Sequence, residues 1–349
     1  MKILVSALEH SANVHLESIL PYLSDDVELV GIFSQELGNP IVDLRSSAVM
    51  GYVDAFKKLR YYLKLLDEMV EMAKDVDKIL LIDASGFNMP LAKKIKKLYP
   101  QKEIIYYILP EAWAWKASRI PKLEQRVDRL ASILPFESSY YSSQAPIEYV
   151  GHPLLDQIST TKQSIGEEIS KVAFMAGSRK SIVSKLMPIF REVQQKISAK
   201  AVIIIPPSFS LDEIDSIYGD LSGFEISRDT HSTLLECDYA FICKGTATLE
   251  ATLIGIPFVL VYQFAKLDWW IYHYILDVEY LGLGNILLKH QKSKELHAEI
   301  LQDDITSDRL IEEMNKTDRE KFFQDTRSIR EYLSQGSAEN VARIIERSL

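Results

Sequence analysis

Residues 239–262, YAFICKGTATLEATLIGIPFVLVY, constrain the fold more than any other stretch. Two short apolar runs rich in β-formers, Tyr239 to Cys243 and Phe258 to Tyr262, flank a segment of helical composition, Ala247 to Ile254. Lys244-Gly245-Thr246 breaks the first run from the helix, and Gly255-Ile256-Pro257 stops it. Strand, glycine turn, helix and strand in that order belong to an α/β sheet. The turn sets Gly245, Thr246, Ala247 and Thr248 at a helix N-terminus, where free N–H groups and the positive dipole end favour a phosphate. Thr246 or Thr248 adds a hydroxyl donor. Glu250, within the first turns, can accept the two hydroxyls of a ribose. The competing reading is a capped helix with no ligand, because glycine turns before helices are common.

The same alternation runs through the chain. Lys2 to Ala7 reads as an opening strand, followed by the loop from Leu8 to Asn13, a helix to about Leu23 and a strand from Val27 to Phe33. Residues 34–54 read as loop and short helix. Ala55 to Lys74 is an amphipathic helix with Phe56, Leu59, Leu63, Leu66 and Val70 at helical spacing. Lys78 to Asp83, Glu103 to Leu109, Leu130 to Leu134 and Ile147 to Val150 are further strands. Residues 154–170 are polar and helical in character and read as an interdomain crossing. A second strand series follows at Lys171 to Met175, Ala201 to Ile205, Gly223 to Ile226 and Tyr239 to Cys243. Residues 263–283 are aromatic and read as helical, and Asp303 to Leu349 as charged helix. The expectation is two Rossmann-like α/β domains facing each other across a cleft, 1–165 and 166–324, with a C-terminal helix, 325–349, packing back on the first domain or on a partner subunit.

With 349 residues there is room for two such domains. A net charge of −9 argues against a nucleic-acid partner, which wants a basic face. The opening segment lacks a signal-peptide pattern, and no run of about 18 apolar residues suggests a spanning helix, so a cytoplasmic protein is expected. Cys237 and Cys243, the two cysteines, both sit in or beside one strand and read as buried apolar residues rather than a disulfide or metal pair.

The second half holds two candidate phosphate loops, Gly177-Ser178-Arg179 and Gly245-Thr246, each at a strand C-terminus, where open α/β sheets bind ligands. Arg179 can neutralise a diphosphate bidentately. Neither GxxxxGK[ST] nor GxGxxG occurs there, so a sugar-nucleotide donor fits better than ATP or NAD. The first half offers carboxylates at strand ends, Glu9 and Asp83, either of which can be a general base for an acceptor hydroxyl or a helix cap. His10 is a further base candidate. No HExxH or CxxC occurs, so no metal site and no cofactor are expected. In 110–123, Trp113 and Trp115 alternate beside Lys116, Arg119 and Lys122. They are core indoles beside solvated cations, or a surface for lipid chains and anionic head groups. Trp269, Trp270, Tyr272 and Tyr274 form a second aromatic group that is membrane surface, core or dimer interface.

Taken together, these motifs resemble the lipid-A-disaccharide synthase family, glycosyltransferase family 19. The resemblance rests on SAVMGYVD (47–54), IDASGFNMPLAKK (82–94), LPEAWAWKASRIPKL (109–123), LPFES (134–138), YVGHPLLD (149–156), AGSR (176–179) and GTATLEATLIGIP (245–257), in family order. It implies a GT-B fold with UDP on the C-terminal domain. It implies inverting, metal-free transfer of 2,3-diacylglucosamine from UDP to the 6-hydroxyl of 2,3-diacylglucosamine 1-phosphate, giving a β-1,6 disaccharide. It places such a protein on the inner face of the cytoplasmic membrane of a Gram-negative bacterium, as a homodimer that can exchange C-terminal segments near 260–349. The resemblance puts Gly177, Ser178, Arg179, Gly245, Thr246, Ala247, Thr248, Glu250 and Asn285 on the donor, and Ser11, Asn88, Trp113, Trp115, Lys116 and Arg119 on the acceptor or membrane.

The chain departs from the family pattern in four places, one being SLPN, which is LGLGN here and keeps Asn285. GE[ST]SGD is LEHSAN, with Ala12 for glycine and Asn13 for aspartate. IDAPDFN is IDASGFN, with Gly86 for the second aspartate, a candidate base in the family. The serine before GTATLE is Lys244. The base is therefore left open between Asp83 and Glu9. The alternatives are another GT-B enzyme, such as a UDP-GlcNAc 2-epimerase, or a non-catalytic nucleotide- or lipid-binding scaffold.

Overall fold

A computed structural model of the chain describes residues 1–41, 55–115, 117–207, 209–265, 269 and 279–347. The chain divides into two compact units, Met1–Asp156 with Leu333–Leu349, and Gln157–Tyr332. The boundaries read from the sequence, at 165 and 324, fall inside the second unit.

The first unit holds a six-stranded sheet of β1 (Lys2–Ser6), β2 (Glu28–Ile32), β3 (Lys78–Ile82), β4 (Glu103–Tyr107), β5 (Arg129–Ser132) and β6 (Ile147–Tyr149). The strand order is β2-β1-β3-β4-β5-β6, and every pair is parallel. Parallel strands are covered on both faces, so they read as continuous Ile, Leu and Val runs. Successive side chains still alternate between faces. In β3, Ile79 and Leu81 pack with Leu65, Met69, Leu91 and Ile95 from the helices Ala55–Met72 and Ser85–Leu98. Leu80 and Ile82 pack on the other face with Leu16 of helix His10–Ile19 and Val341, Ile344 and Ile345 of helix Ser337–Glu346. Burial contributes roughly 1.5–3 kcal/mol for each such aliphatic side chain, which is what brings the C-terminal helix back to the first sheet.

A latch built from the VGHPLLD stretch fixes that return. The Ser334 N–H donates to Tyr149 Oη (2.9 Å), and the His152 N–H donates to the Ser334 carbonyl (3.0 Å). The Asp156 carboxylate accepts from the N–H groups of Gly336 (2.7 Å) and Ser337 (2.9 Å). Gly151 has φ +95°, and a Cβ there would stand 2.8 Å from the Ser334 carbonyl oxygen, so both conformation and space demand glycine. His152 is buried, and burial, with His15 beside it, pushes its pKa down to about 4. It is a neutral structural imidazole.

The second unit holds β7 (Lys171–Met175), β8 (Lys200–Ile204), β9 (Glu225–Ser227), β10 (Tyr239–Cys243), β11 (Phe258–Tyr262) and β12 (Glu299–Leu301). The order is β12-β11-β10-β7-β8-β9, again parallel throughout. One face carries Val172, Phe174, Phe241 and Val259 against helix Lys180–Lys196, and the other carries Ala173, Ala240, Ile242 and Leu260 against helix Thr246–Ile254.

Two expectations are corrected. Residues 154–170 are helical only over Pro153–Gln157, and 158–170 are irregular. That segment has no apolar stripe to bury, and short helices without one are unstable in water. It is tied down by the Lys162 N–H to the Ile254 carbonyl (2.9 Å) and Lys162 Nζ to the Leu235 carbonyl (2.8 Å). The charged C-terminal segment is three helices, Ser307–Lys316, Arg319–Tyr332 and Ser337–Glu346. Most of the aromatic stretch 263–283 and the SAVMGYVD stretch lie outside the described residues. No helix among the described residues is long and apolar enough to cross a membrane.

Candidate active site

In the second unit β7 and β10 are neighbours, with β8 beyond one and β11 beyond the other, so the strand order reverses between them. This switch point is where open α/β sheets take ligands. Both sequence-predicted phosphate loops emerge there, Ala176–Arg179 after β7 and Lys244–Thr246 after β10. They lie against each other: Gly177 has φ +90°, and a Cβ on it would stand 3.0 Å from Cys243 Sγ.

Gly245 is the N-cap of helix Thr246–Ile254, and no side chain caps that end. A Cβ on Gly245 would meet nothing within 4 Å, so the approach to the helix N-terminus is open. Thr248 is buried and its hydroxyl donates to the Gly245 carbonyl (2.8 Å), which turns it inward and leaves Thr246, exposed, as the outward hydroxyl. Arg179 caps helix Lys180–Lys196 through its backbone, and its Nη1 donates to Tyr262 Oη (3.2 Å). Lys244 Nζ lies 5.7 Å from the centroid of the same Tyr262 ring. Tyr262 thus engages one cation by its hydroxyl and the other by its face. Ser178 is exposed beside them. Among the described residues none donates a hydrogen bond to Glu250, and burial, with Asp229 nearby, raises its pKa. It is a carboxylate placed for donors that the protein does not itself supply.

Asn285 does not face this site. It is fully buried: Oδ1 accepts from the N–H groups of Leu296 (2.8 Å) and His297 (3.0 Å), and Nδ2 donates to the His297 carbonyl (3.0 Å) and to Glu299 (2.9 Å). It fastens helix Leu283–Lys292 to the approach to β12. Beyond Tyr262, the Phe264 ring lies 4.7 Å away edge-on, and Trp269 lies 5.6 Å from Phe264. Phe264, Trp269, Gln302 and Asp303 line a pocket of about 700 Å³ at the ends of β11 and β12. Trp270, Tyr272 and Tyr274 lie outside the described residues.

The first unit has its own switch point, between β1 and β3, with β2 and β4 on either side. A pocket of about 690 Å³ opens there, walled by Tyr62, Leu63, Leu66 and Phe87, with Glu9 and Asp83 at its polar end. Tyr62 and Leu63 are exposed. Glu9 is the exposed N-cap of helix His10–Ile19, and Ser11 and His10 are exposed in its first turn. Asp83 is partly buried, and burial raises its pKa while the Ala84 N–H pulls it down.

The loop that presents Asp83 is strained. Asp83 has φ +50° and Ala84 φ +43°, two consecutive non-glycine residues in the left-handed region, each costing roughly 1–2 kcal/mol. The Asp83 carbonyl accepts from Tyr106 Oη (2.7 Å) and from Asn88 Nδ2 (2.8 Å). Asn88 Nδ2 also donates to the Ile82 carbonyl (3.2 Å), and its Oδ1 accepts from Ser6 Oγ (2.6 Å). Asn88 is fully buried, so it supports the loop rather than meeting a substrate or membrane directly.

One departure from the family pattern, Asn13, acquires a physical reason. Asn13 Nδ2 donates to the carbonyls of Ala7 (2.9 Å) and Glu9 (2.8 Å), and its Oδ1 accepts from the Ser34 N–H (2.7 Å). A carboxylate there would lose both donations, so Asn13 shapes the Glu9 loop. Gly86 has open space where a Cβ would be, at the pocket rim.

Trp113 is half-buried and packs on Phe136 (5.1 Å, edge-on) and Tyr140 (6.2 Å), so it is mainly a packing indole. Arg119 Nη1 donates to Ser85 Oγ (3.4 Å) beside the Asp83 loop. Lys116 and the Trp115 side chain lie outside the described residues. Glu137 of LPFES is buried and accepts from Ser132 Oγ (2.5 Å), and burial pushes its pKa up to about 7. Cys237 and Cys243 are free and buried, their thiols pushed up to about 12 by burial. Among the described residues no group of three or more His, Cys, Asp or Glu side chains is arranged to hold a metal ion.

The sequence did not single out Tyr262 or Tyr106, nor the pocket wall of Tyr62 and Leu66. Tyr262 and Tyr106 sit at or next to strand C-terminal ends, and that position, with a hydroxyl, was the available signal.

Comparison with known proteins agrees with this geometry. The lipid-A-disaccharide synthetase family model matches residues 3–347. A lipid-A-disaccharide synthase from Helicobacter pylori (strain G27) is 42% identical over 353 residues, covering 97% of this chain and 96% of that protein. One from Campylobacter jejuni (strain RM1221) is 39% identical, covering 98% of each. Among solved structures, Acinetobacter baumannii MurG superposes with a TM-score of 0.62 at 11% identity, covering 99% of both chains. A putative UDP-N-acetylglucosamine 2-epimerase from Listeria monocytogenes gives 0.56 at 13% identity, covering 99% and 94%. At such identities the structural likeness shows the shared GT-B fold alone.

Proposed function

The chain belongs to the lipid-A-disaccharide synthase family of glycosyltransferases, and from that premise we propose how its two switch points divide the reaction. The donor is UDP-2,3-diacylglucosamine and the acceptor 2,3-diacylglucosamine 1-phosphate. The observation that carries the assignment is the pair of loops on adjacent β7 and β10, with an uncapped helix N-terminus and the two cations Arg179 and Lys244. That arrangement suits a diphosphate. Glu250 takes the ribose hydroxyls, and the pocket walled by Phe264 and Trp269 takes part of the acylated sugar.

In the first unit the acceptor's 6-hydroxyl lies against Asp83, and the apolar wall of Tyr62, Leu63 and Leu66 holds an acyl chain. The hydroxyl oxygen attacks the anomeric carbon, and its proton goes to Asp83. The bond from that carbon to the UDP oxygen breaks, the electron pair leaves with UDP, and the configuration inverts. Arg179, Lys244 and the N–H groups of residues 245–247 meet the charge that grows on UDP, which lets the reaction run without a metal. Asp83 is preferred to Glu9 as base because it is half-buried at the pocket while Glu9 is exposed, and burial makes it a stronger proton acceptor than an ordinary aspartate.

Both substrates are lipids, so the protein works at a membrane surface, on the inner face. The exposed Tyr62 and Leu63 at the pocket rim suit a chain entering from a bilayer. A homodimer that exchanges C-terminal segments would make the 149–156 latch and the packing of helix 337–346 between copies, which a mass measurement in solution tests.

The deciding assay supplies both lipid substrates to the purified protein with and without EDTA. Disaccharide and UDP in both conditions is the expected result. UDP binding with no product would overturn the acceptor assignment, and loss of product in EDTA would overturn the metal-free step. The epimerase alternative is not favoured, since the sequence matches across the whole chain are to disaccharide synthases. UDP-GlcNAc supplied alone should give neither UDP nor C2 epimer.

A further inference from the structure

We propose that Tyr106 and Asn88 are positioning residues that hold the Asp83–Ala84 turn in its left-handed conformation and so aim the Asp83 carboxylate into the first-unit pocket. The inference rests on the reading of Asp83 as the base and goes beyond it.

The argument begins with the backbone. Two consecutive non-glycine residues at φ +50° and +43° persist only where the surroundings over-determine them. Here the surroundings are specific. The Asp83 carbonyl takes two hydrogen bonds, from Tyr106 Oη and Asn88 Nδ2, using both of its lone pairs. Asn88 spans the Ile82 and Asp83 carbonyls with one amide nitrogen and is itself held by Ser6 Oγ from the neighbouring β1. Tyr106 and Asn88 are both fully buried, so neither can touch substrate. The Tyr106 hydroxyl and the Asn88 amide nitrogen converge on one carbonyl, that of Asp83, which lines the pocket. An extended or right-handed turn at residue 83 would swing that carbonyl away from both donors and the carboxylate out of its place. Side-chain hydrogen bonds therefore do at this turn what a glycine would otherwise do.

The test is a double-mutant cycle of Tyr106→Phe and Ala84→Gly, read as kcat and as KM for each substrate, with thermal melts of every variant. Phenylalanine keeps the shape of the buried ring and removes only the donor. Tyr106→Phe in the otherwise unchanged protein is expected to lower kcat about tenfold with both KM values within about twofold, a loss of about 1.4 kcal/mol in the transition state alone. Against an Ala84→Gly background, where the turn reaches positive φ without a steric penalty, the same change should cost less than about threefold. A residue that merely stabilises the fold would shift the melting temperature equally in both backgrounds and leave kcat of the folded enzyme alone, which would overturn the proposal. An equal kcat loss in both backgrounds would overturn it too. Asp83→Asn separates this from the reading beneath it: if that variant stays active, the base assignment fails whatever Tyr106→Phe does. If it is inactive while Tyr106→Phe is fully active, the base stands and the positioning role falls.

Discussion

The two units solve one geometric problem with opposite chemistry. Each is a parallel sheet with a strand-order reversal, and each opens its reactive loops at the C-terminal ends of the two strands that flank it. In the second unit those loops carry an uncapped helix N-terminus, Arg179 and Lys244, all positive, gathered around Tyr262. In the first they carry carboxylates, Glu9 and Asp83, at the end of an apolar wall. In the function proposed above, one half receives a leaving anion and the other accepts a proton beside an acyl chain. Fold alone distinguishes neither, and the loops do.

Substitutions that strike one unit at a time sharpen this division. Asp83→Asn should have the largest effect, a fall in kcat of about 10²–10⁴-fold with donor KM unchanged. Burial raises the Asp83 pKa, so the wild-type rate should fall as pH drops through a value above the range of an ordinary aspartate, because the base must be ionised to take a proton. A wild-type acid limb at or below that range would break the assignment. Arg179→Ala comes next, with a loss of at least about 10²-fold and weakened UDP inhibition. An Arg179→Ala enzyme with unchanged kcat/KM would sink its role. Leu63→Ala should raise acceptor KM by only about three- to tenfold and leave donor KM and melting temperature alone, since Leu63 is half exposed. An equal rise in donor KM would blur the division.

Glu137→Gln should leave activity nearly untouched and act on stability. The Glu137 pKa is raised from 4.5 to about 7, so the folded state holds its proton more tightly than the unfolded chain. That stabilisation is present below about pH 4.5 and is lost as pH rises through about 7. The glutamine variant should therefore melt at a higher temperature than the wild type at pH 8, with the gap shrinking toward pH 5, as followed by calorimetry. The half-buried Glu299 of the second unit accepts from two backbone N–H groups and the Asn285 amide, which oppose the rise that burial causes in its pKa.

The sheet was legible because parallel strands bury both faces. Tyr239–Cys243, Phe258–Tyr262 and Lys171–Met175 are where their apolar runs put them. β12 was not legible: Glu299–Leu301 is three residues long and starts with a glutamate that serves as a half-buried acceptor. The donor loops could be read from glycine at strand ends, since Gly177 needs both its φ and its lack of a Cβ. The Asp83 turn could not, because its left-handed residues are an aspartate and an alanine held by the side chains of Asn88, in the helix that follows, and Tyr106, on the next strand. Asn285 shows the same limit from the other side. A motif asparagine reads as a ligand contact, yet its four hydrogen bonds all go to the protein.

The return of helix Ser337–Glu346 to the first sheet sets the order in which the chain can mature on the ribosome. One face of that sheet, with Ile3, Val5, Ile105 and Tyr107, is covered only in part, by helix His10–Ile19, until residues 341–345 have been made. The whole second unit is synthesised in between, which at roughly 5–20 residues per second leaves that face half-covered for some ten seconds or more. The second unit is contiguous, Gln157–Tyr332, and can close as soon as it emerges, so the half encoded first is the half completed last. A nascent chain of this protein therefore carries an unfinished apolar surface through most of its translation, a natural target for a chaperone that binds at the exit tunnel.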